Sequence, residues 1–267
     1  MFGAMTSRNY SEKIRKSISI YKRIRHIKGH GVHSPFVYHL ITQVIDERCS
    51  YYRIDDIEFI RKQLLFKEDV IPVPGKPSEK GNLVRTVGDI TRREAISPKH
   101  GALLFRLTNY FKPKNILQVG GKTGLSTLFL TSYSSATKCL SLKNIPEYAP
   151  ISDWVYVKAA QAPIDSRIGG FAETLPPALK DMHQLDFAFF NLYDKQTDYF
   201  GLFTNCLRHA HAETVFVFEG INANHRMKAF WKQVYTHPET TVAIDLYSMG
   251  LVFLNKKLHK RMYTIYF

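Results

Sequence analysis

The stretch Asn115-Ile-Leu-Gln-Val-Gly-Gly-Lys-Thr-Gly-Leu-Ser126 decides the fold, because an apolar run breaks into a glycine-rich turn and then resumes helical spacing. This pattern is typical of a strand that leads into a nucleotide-type loop. Glycines at positions 120, 121 and 124 let the backbone turn tightly and approach a ligand, to which the following helix would offer unpaired N–H groups. A glycine loop alone is a weak signal, so the prediction depends on the rest of the chain.

Apolar runs recur along the chain, and most are separated by segments long enough for helices. They predict strands at Ile116–Val119, Lys138–Leu142, Trp154–Val157, Leu185–Phe190 and Val215–Phe218. Such alternation predicts an α/β fold with a parallel sheet covered on both faces. The last runs are joined by short connections, so we expect antiparallel pairing among Thr241–Tyr247, Leu251–Leu254 and Tyr263–Phe267.

Length and composition favour one α/β domain with an N-terminal extension, because 267 residues at 45% apolar content can bury a full core. We predict a basic helical extension over residues 1–70, a linker with a short helix over 71–95, and an α/β domain over 96–267. Pro, Gly and charge concentrate in Val70–Gly81, which is typical of a linker or loop. Ser34 and Ser97 each precede a proline and are expected to cap helices.

The formal net charge of +14 favours a polyanionic partner, because clustered cations gain affinity by releasing condensed counterions. Residues 1–30 hold eight Lys or Arg and one acid, and Ile14, Ile18 and Tyr21 share one helical face. We interpret this segment as a basic amphipathic helix. It either docks on the body as a solvated helix or binds RNA, DNA or an anionic surface.

Three widely spaced cysteines, Cys49, Cys139 and Cys206, argue against a disulfide framework or a zinc site and favour a reducing compartment. The segment Met1–Arg8 has no apolar signal-peptide core, and no stretch is long enough to span a membrane. We therefore expect a cytoplasmic location. The pair His30 and His33 has no acidic or cysteine partner nearby in sequence, so structural hydrogen bonds are favoured over metal binding.

Several single residues have a structural interpretation. Asp186 and Glu173 are expected to be structural acids or caps, and Asp245 either accepts a backbone N–H or reaches the pocket. His209 and His211 are expected at the surface. The aromatic residues of the predicted strands are expected in the core rather than as base-stacking platforms: Trp154, Phe187, Phe189, Phe190, Phe216 and Phe218.

Parallel strands closed by an antiparallel C-terminal hairpin are the plan of class I S-adenosylmethionine-dependent methyltransferases, and the chain resembles O-methyltransferase-like proteins of that superfamily. The segment His30–Phe36 is similar to a His-Gly-[Ile/Val]-His-Ser-Pro-Phe motif of a Bacteroidetes-type group. Further matches, in order, are Pro98–Arg106, Tyr110–Leu117, Glu173–Pro176, Leu185–Phe190, Val215–Phe218 and Ile244–Phe253. The resemblance implies a Rossmann-like, mostly parallel seven-stranded sheet with an antiparallel C-terminal hairpin, and S-adenosylmethionine as methyl donor.

The resemblance also implies a donor site at the glycine turn. Its candidate cofactor-binding residues are Gln118, Gly120, Gly121, Gly124, Ser126, Lys143, Gly170 and Asn191. Lys143 stands where relatives carry the carboxylate that accepts the two ribose hydroxyls. An ammonium group only donates hydrogen bonds and adds positive charge near a cationic sulfonium, so the chain is interpreted as a divergent member with an eroded donor site.

The acceptor side departs from the family as well. Asn191 replaces an Asp after the fourth strand, and Glu219 remains from an acidic pair after the fifth. We take Glu219 and Asp194 as candidate catalytic bases. The methyl acceptor is a small molecule or another, unknown compound. No metal is expected, because Mg²⁺ normally has more than one protein contact and only Glu219 could serve as an oxygen ligand.

Three functions stay open. The first is an S-adenosylmethionine-dependent methyltransferase, in which positioning of the nucleophile would supply most of the rate. The second is a catalytically inactive methyltransferase-fold interaction protein that binds an anionic partner through its basic N-terminal helix. The third is a site repurposed for an anionic nucleotide at Lys122 and Lys143. A P-loop is excluded, because Ile116 stands where that motif needs its first glycine.

Overall fold

A computed structural model describes residues 32–73, 84–161, 164–191, 197–265 and 267. The predicted N-terminal helix, His30 and Asp194 lie outside these ranges. The helices are α1 (Pro35–Leu40), α2 (Tyr52–Leu65), α3 (Val87–Glu94), α4 (Pro98–Phe111), α5 (Leu125–Thr131), α6 (Ala149–Lys158), α7 (Phe171–Met182), α8 (Tyr199–Leu207) and α9 (His225–Thr236). A π-helical turn, Ile41–Ile45, continues α1, and a 3-10 turn, Pro146–Tyr148, precedes α6. No helix in these ranges is both long and apolar enough to cross a bilayer.

The strands are β1 (Val70–Pro72), β2 (Val84–Thr86), β3 (Asn115–Val119), β4 (Lys138–Lys143), β5 (Asp165–Ile168), β6 (Leu185–Asn191), β7 (Ala210–Glu219), β8 (Val242–Asp245), β9 (Met249–Phe253) and β10 (Arg261–Thr264). The first two pair antiparallel, and the others form an eight-stranded sheet in the order β10-β8-β9-β7-β6-β3-β4-β5. Within this sheet β9 runs antiparallel to its neighbours, and the other described pairs are parallel. The predicted Rossmann-like class is confirmed, although the sheet has eight strands in the described residues where the resemblance implied seven.

The helix caps predicted from sequence are confirmed. The Ser34 hydroxyl accepts a hydrogen bond from the N–H of Val37 at the start of α1. The Ser97 hydroxyl accepts one from the N–H of His100 at the start of α4. Both helices open with the proline that follows the serine, so the missing proline N–H removes no helical hydrogen bond.

The predicted strand Trp154–Val157 is wrong, because these residues belong to helix α6. A short apolar run does not distinguish a strand from a buried helical segment, and Pro150 in the first turn favours the helix. The third parallel strand is β5, whose residues are half-buried or exposed. As an edge strand it pairs with β4 alone among the described strands, so it lacks the apolar signature of a central strand.

The last strand also differs from expectation. β8 and β9 form the predicted antiparallel pair, but β10 runs parallel to β8. Both edges of β9 are already occupied, by β7 and β8, so the chain leaving β9 reaches the free edge of β8. It arrives beside the start of β8, where the N–H of Arg261 donates to the carbonyl of Thr241, and therefore runs in the same direction.

Apolar side chains cover both faces of the sheet. Alternation along β6 places Phe187 and Phe189 in the cluster on one face and Phe190 in the cluster on the other. The phenylalanines of β6 and β7 are at most 1% exposed, which confirms them as core, whereas Trp154 is half-buried on α6. The first of these clusters also contains Val37, so the described part of the N-terminal extension packs on the sheet domain. The domain boundaries themselves stay a prediction.

Candidate functional site

The carboxyl ends of β3, β4, β6 and β7 meet at one edge of the sheet. The chain enters the sheet at β3, adds β4 and β5 on one side, and then adds β6 and β7 on the other. This reversal of strand order is the topological switch point at which open α/β sheets bind ligands. Most of the residues predicted as site residues lie at this edge.

The glycine turn is shaped by the protein's own backbone. Gly120 has a φ of 89°, and its N–H donates to the carbonyl of Leu142 at 3.0 Å, which ties the turn to β4. Gly124 has a φ of 81° and precedes α5. A Cβ at Gly124 would lie 3.0 Å from Cα of Ser152 and 3.1 Å from the Tyr156 ring. The space on that side of the turn is therefore filled by α6.

The Gln118 side chain belongs to a buried hydrogen-bond network. Its Nε2 donates to Oγ of Ser126 at 2.7 Å, and its Oε1 accepts from Oγ1 of Thr127 at 2.6 Å. Gln118 is fully buried. A Cβ at Gly121 would lie 3.0 Å from this amide and 2.9 Å from Oγ of Ser141, so the glycine turn packs directly against the network. Gln118, Gly121 and Ser126 lie together, and the hydrogen bonds described for Gln118 are within the protein.

Lys143 ends β4 with its side chain turned inward. The residue is 1% exposed, and its ammonium donates to Oγ of Ser152 at 2.6 Å. Oγ of Ser152 in turn donates to the carbonyl of Ala149 in the first turn of α6. The ammonium also lies 5.2 Å from the centre of the Tyr156 ring. Burial lowers the pKa of Lys143, and the negative charge of Asp153 opposes that effect.

Lys122, the other cation of the turn, is paired with an acid. Its ammonium lies 2.9 Å from Oε2 of Glu94, at the end of α3. Oε1 of the same carboxylate accepts from the Tyr148 hydroxyl at 2.9 Å. Burial and the neighbouring Glu94 raise the pKa of Tyr148 above its usual range. The arrangement links α3, the glycine turn and the 3-10 turn before α6.

A polar cluster occupies the ends of β6 and β7. Nδ2 of Asn191 donates to Oε2 of Glu219 at 2.7 Å, and Oε1 of Glu219 lies 3.1 Å from Nδ1 of His100. The other ring nitrogen of His100 lies 2.8 Å from Oγ of Ser248, in the turn between β8 and β9. Asn191 and Glu219 are 4% and 5% exposed, so the cluster is anchored in the interior. Both oxygens of Glu219 are occupied by protein donors.

The remaining predicted residues lie elsewhere or have structural roles. Gly170 caps α7, where its carbonyl accepts from the N–H groups of Glu173 and Thr174. Asp245 accepts from the N–H of Tyr247, as one of its two expected roles required. Asp186 is a structural acid and contacts His211. In the described part of the chain no three His, Cys, Asp or Glu side chains converge as metal ligands would.

Solved structures share this architecture. The O-methyltransferase from Bacillus cereus in complex with SAH matches with a TM-score of 0.55 at 17% identity, covering 82% of this chain and 97% of that chain. TomG from Streptomyces achromogenes in complex with SAM matches with 0.55 at 15% identity, covering 82% and 94%. SAH-bound PaMTH1 from Podospora anserina matches with 0.55 at 14% identity, covering 77% and 88%. The fold is that of the class I O-methyltransferases. No protein-family model and no curated protein matches the chain in sequence.

Sequence analysis missed three residues of this methyltransferase fold. Ser152 was hidden by the wrong strand prediction at Trp154–Val157, because a strand would have separated it from β4. His100 follows the Ser97 cap in a matched segment. Its position in the first turn of a helix could have indicated that it lies near the site. Ser248 lies in a hairpin turn, and nothing in the sequence indicated its contact with His100.

Proposed function

We propose that this chain is an S-adenosylmethionine-dependent methyltransferase-like protein of the O-methyltransferase type, in which the donor site has eroded. One observation carries the proposal. At the end of β4, where the donor's ribose needs a carboxylate, the side chain is Lys143, and its ammonium is bonded internally to Ser152. The similarity of His30–Phe36 to the motif of a Bacteroidetes-type group supports the same lineage.

The residues at the edge do not fit the donor. The ribose diol needs acceptors, and a protonated lysine has none. A sulfonium near Lys143 would meet a like charge in a region shielded from water, where such repulsion is strong. The hydrogen bonds described for Gln118 are made within the protein, and α6 fills the space beside Gly124.

The repurposed-nucleotide hypothesis has less support from the geometry. An anion at Lys122 would compete with Glu94, which lies 2.9 Å from the ammonium. An anion at Lys143 would have to displace Ser152 and enter a site that is 1% exposed. The ammonium groups of both lysines already have partners within the protein.

Calorimetric titration with S-adenosylmethionine and S-adenosylhomocysteine tests the eroded site. We expect no binding by the wild type up to about 1 mM ligand, and micromolar binding by Lys143→Glu, because the new carboxylate accepts the ribose hydroxyls. Lys138→Glu is the matched control: it makes the same charge change at the exposed, opposite end of β4 and should bind no better than wild type. Micromolar binding by the wild type would contradict the proposal.

We further propose that residues 1–30 bind nucleic acid or another polyanion. The observation that favours this function is the charge distribution, since eight Lys or Arg and one acid supply half of the chain's excess of +14. A basic segment of this kind gains affinity by counterion release and needs no base-specific contact.

The widely spaced cysteines agree with a cytoplasmic setting: Cys139 and Cys206 are buried and unpaired.

Fluorescence anisotropy with a labelled single-stranded RNA tests this binding. The expected signature is a linear fall of log affinity with log salt between about 50 and about 200 mM. For a single strand the slope is about −0.7 for each phosphate that the protein neutralises. We would replace Lys13, Arg15 and Lys16 with Gln, and compare a control with Lys228, Lys232 and Lys256 replaced with Gln. The first triple variant should lose affinity and slope, and the control should keep both. Equal losses in the two variants would assign the binding to net charge alone and would exclude a role of residues 1–30.

A further inference from the structure

Ser248, His100 and Glu219 form a continuous hydrogen-bonded relay at the carboxyl edge of the sheet. Oγ of Ser248 lies 2.8 Å from Nε2 of His100, and Nδ1 of the same ring lies 3.1 Å from Oε1 of Glu219. One imidazole thus faces a hydroxyl on one side and a carboxylate on the other. In this order of groups a histidine takes a proton from serine while the acid fixes the tautomer of the ring.

Glu219, the acid of the relay, is held in position by a second hydrogen bond. Glu219 is the last residue of β7, and its second oxygen accepts a hydrogen bond from Nδ2 of Asn191 at 2.7 Å. Two donors on two different oxygens fix the plane of the carboxylate. A carboxylate oxygen only accepts, so the tautomer that fits this contact carries its proton on Nδ1 and leaves Nε2 to accept the proton of Ser248.

A strained turn presents Ser248 to the ring. The residue before it, Tyr247, has a φ of 74°, an outlier for a bulky side chain. Hydrogen bonds fix this turn: the N–H of Tyr247 donates to Asp245 at 2.7 Å, Asn222 donates to the carbonyl of Tyr247 at 2.7 Å, and the N–H of Gly220 donates to the carbonyl of Ser248 at 2.6 Å. Strained backbone persists where its surroundings over-determine it, and such sites cluster at functional positions.

Exposure increases along the relay from the acid to the hydroxyl. The side chain of Glu219 is 7% exposed and that of His100 is 17% exposed, while Ser248 is half-buried. The ring of Phe267 stacks against the His100 imidazole, with 6.3 Å between ring centres and 22° between the planes. The carboxylate is therefore shielded, and the serine is the member that a solvent-borne molecule can reach.

We propose that Ser248 is a nucleophilic serine that accepts an acyl group from a small carboxylic ester, with His100 as its base and Glu219 as a positioning residue. Oγ of Ser248 bonds to the carbonyl carbon while its proton passes to Nε2 of His100. The ester C–O bond breaks, and the imidazolium gives that proton to the departing alcohol. Water then adds to the acyl carbon, giving its proton to His100, and Ser248 leaves with that proton as the carboxylic acid is released.

This activity needs no methyl donor. The relay contains neither the glycine turn nor Lys143, and the ester and water are its only reactants. Failure of S-adenosylmethionine binding therefore says nothing about Ser248, and failure of ester chemistry says nothing about Lys143.

A fluorophosphonate probe, which phosphonylates activated serines, tests the proposal on the full-length protein. We expect mass spectrometry to locate the label on Ser248. His100→Ala should slow labelling by at least about 10³-fold, and imidazole added to the solution should restore part of the rate. Glu219→Gln should also slow labelling, and Glu219→Asp should recover part of it. Ser135→Ala removes an exposed serine outside the relay and should label at the wild-type rate.

Two results would overturn the proposal: a Ser248 that carries no label, or a labelling rate at Ser248 that His100→Ala leaves unchanged. Circular dichroism of each variant separates lost reactivity from lost fold. Should His100→Ala fail to fold, His100→Gln keeps a polar side chain between Glu219 and Ser248 and replaces it in the comparison. Rescue by imidazole is the readout that a purely structural histidine would not give.

Discussion

Lys143 shows how one residue changes the electrostatics of a strand end. Its ammonium is buried, donates to Ser152 and lies near the Tyr156 ring. The hydroxyl and the ring face compensate part of the lost hydration, and the nearby Asp153 favours the charged form. Burial still dominates, because it is the largest cause of the lowered pKa. The folded state therefore holds the Lys143 proton less tightly than the unfolded chain does.

The lowered pKa of Lys143 predicts a pH dependence of stability. Between the folded-state pKa and the ordinary value of 10.5, the unfolded chain binds more protons, so the free energy of unfolding rises with pH. Lys143→Met removes this contribution. Urea unfolding at several alkaline pH values should show the wild type gaining stability relative to Lys143→Met as the pH approaches 10.5, and no further gain above it. A difference that falls with pH would mean a raised pKa and would contradict the burial account.

Gly124 is required by its own conformation and by α6. Alanine at this position would keep a φ of 81° and place Cβ 3.0 Å from Cα of Ser152, a backbone atom that cannot rotate away. We expect Gly124→Ala to lower the free energy of unfolding by about 2 kcal/mol or more. Gly170→Ala is the control, because φ is −58° there and the nearest atom to the new Cβ is 3.7 Å away. Urea unfolding of the two variants measures the difference, and equal stabilities would contradict the packing of α6 on the turn.

At the scale of elements, α6 determines which part of the site is closed. It supplies Ser152 to Lys143 and, through Ser152 and Tyr156, packs against Gly124. The sequence Trp154-Val-Tyr-Val157 resembles a strand, but it continues a helix whose first turn contains Pro150. A strand here would have left Lys143, at the end of β4, without its serine partner. At the opposite edge of the sheet, where the parallel strands begin, Asp186 connects neighbouring strands.

Asp186 connects three strands through its two carboxylate oxygens. Oδ2 accepts from the N–H groups of Lys114 and Asn115 at 2.8 and 2.9 Å, and Oδ1 lies 3.0 Å from Nε2 of His211. Asp186→Ala should lower the free energy of unfolding by about 2 to 3 kcal/mol, because two N–H groups at the start of β3 lose their acceptor.

Asp181→Ala is the matched control for this joint. Its side chain is 60% exposed and pairs with Arg167, and exposed ion pairs contribute about 0 to 1 kcal/mol. Chemical unfolding monitored by fluorescence compares the two. If Asp186→Ala were as stable as Asp181→Ala, the connection of the strands through Asp186 would be refuted.

At the scale of the whole molecule, the sequence was sufficient to predict the parallel sheet and the edge at which its central strands end. Apolar runs such as Leu185–Phe190 located the central strands, and the Gly120 turn located the carboxyl edge. It was not sufficient for β5 and β10, because edge strands bury fewer side chains, and the direction of β10 depends on which sheet edge is free. The relay of Ser248, His100 and Glu219 joins residues far apart in the chain, so no local pattern predicts it.

The whole molecule has a methyltransferase fold in which, as we propose, Lys143 closes the donor site and Ser248 belongs to a separate relay. We propose above all that Lys143 and Ser152 close the place of the donor's ribose. The most direct measurement is a pair of crystal structures, of the wild type and of Lys143→Glu, each grown with saturating S-adenosylhomocysteine. We predict no ligand density in the wild type, and in the variant ribose hydroxyls bonded to the new carboxylate at the end of β4. Ligand bound at this edge of the wild type, with Lys143 still on Ser152, would contradict the claim.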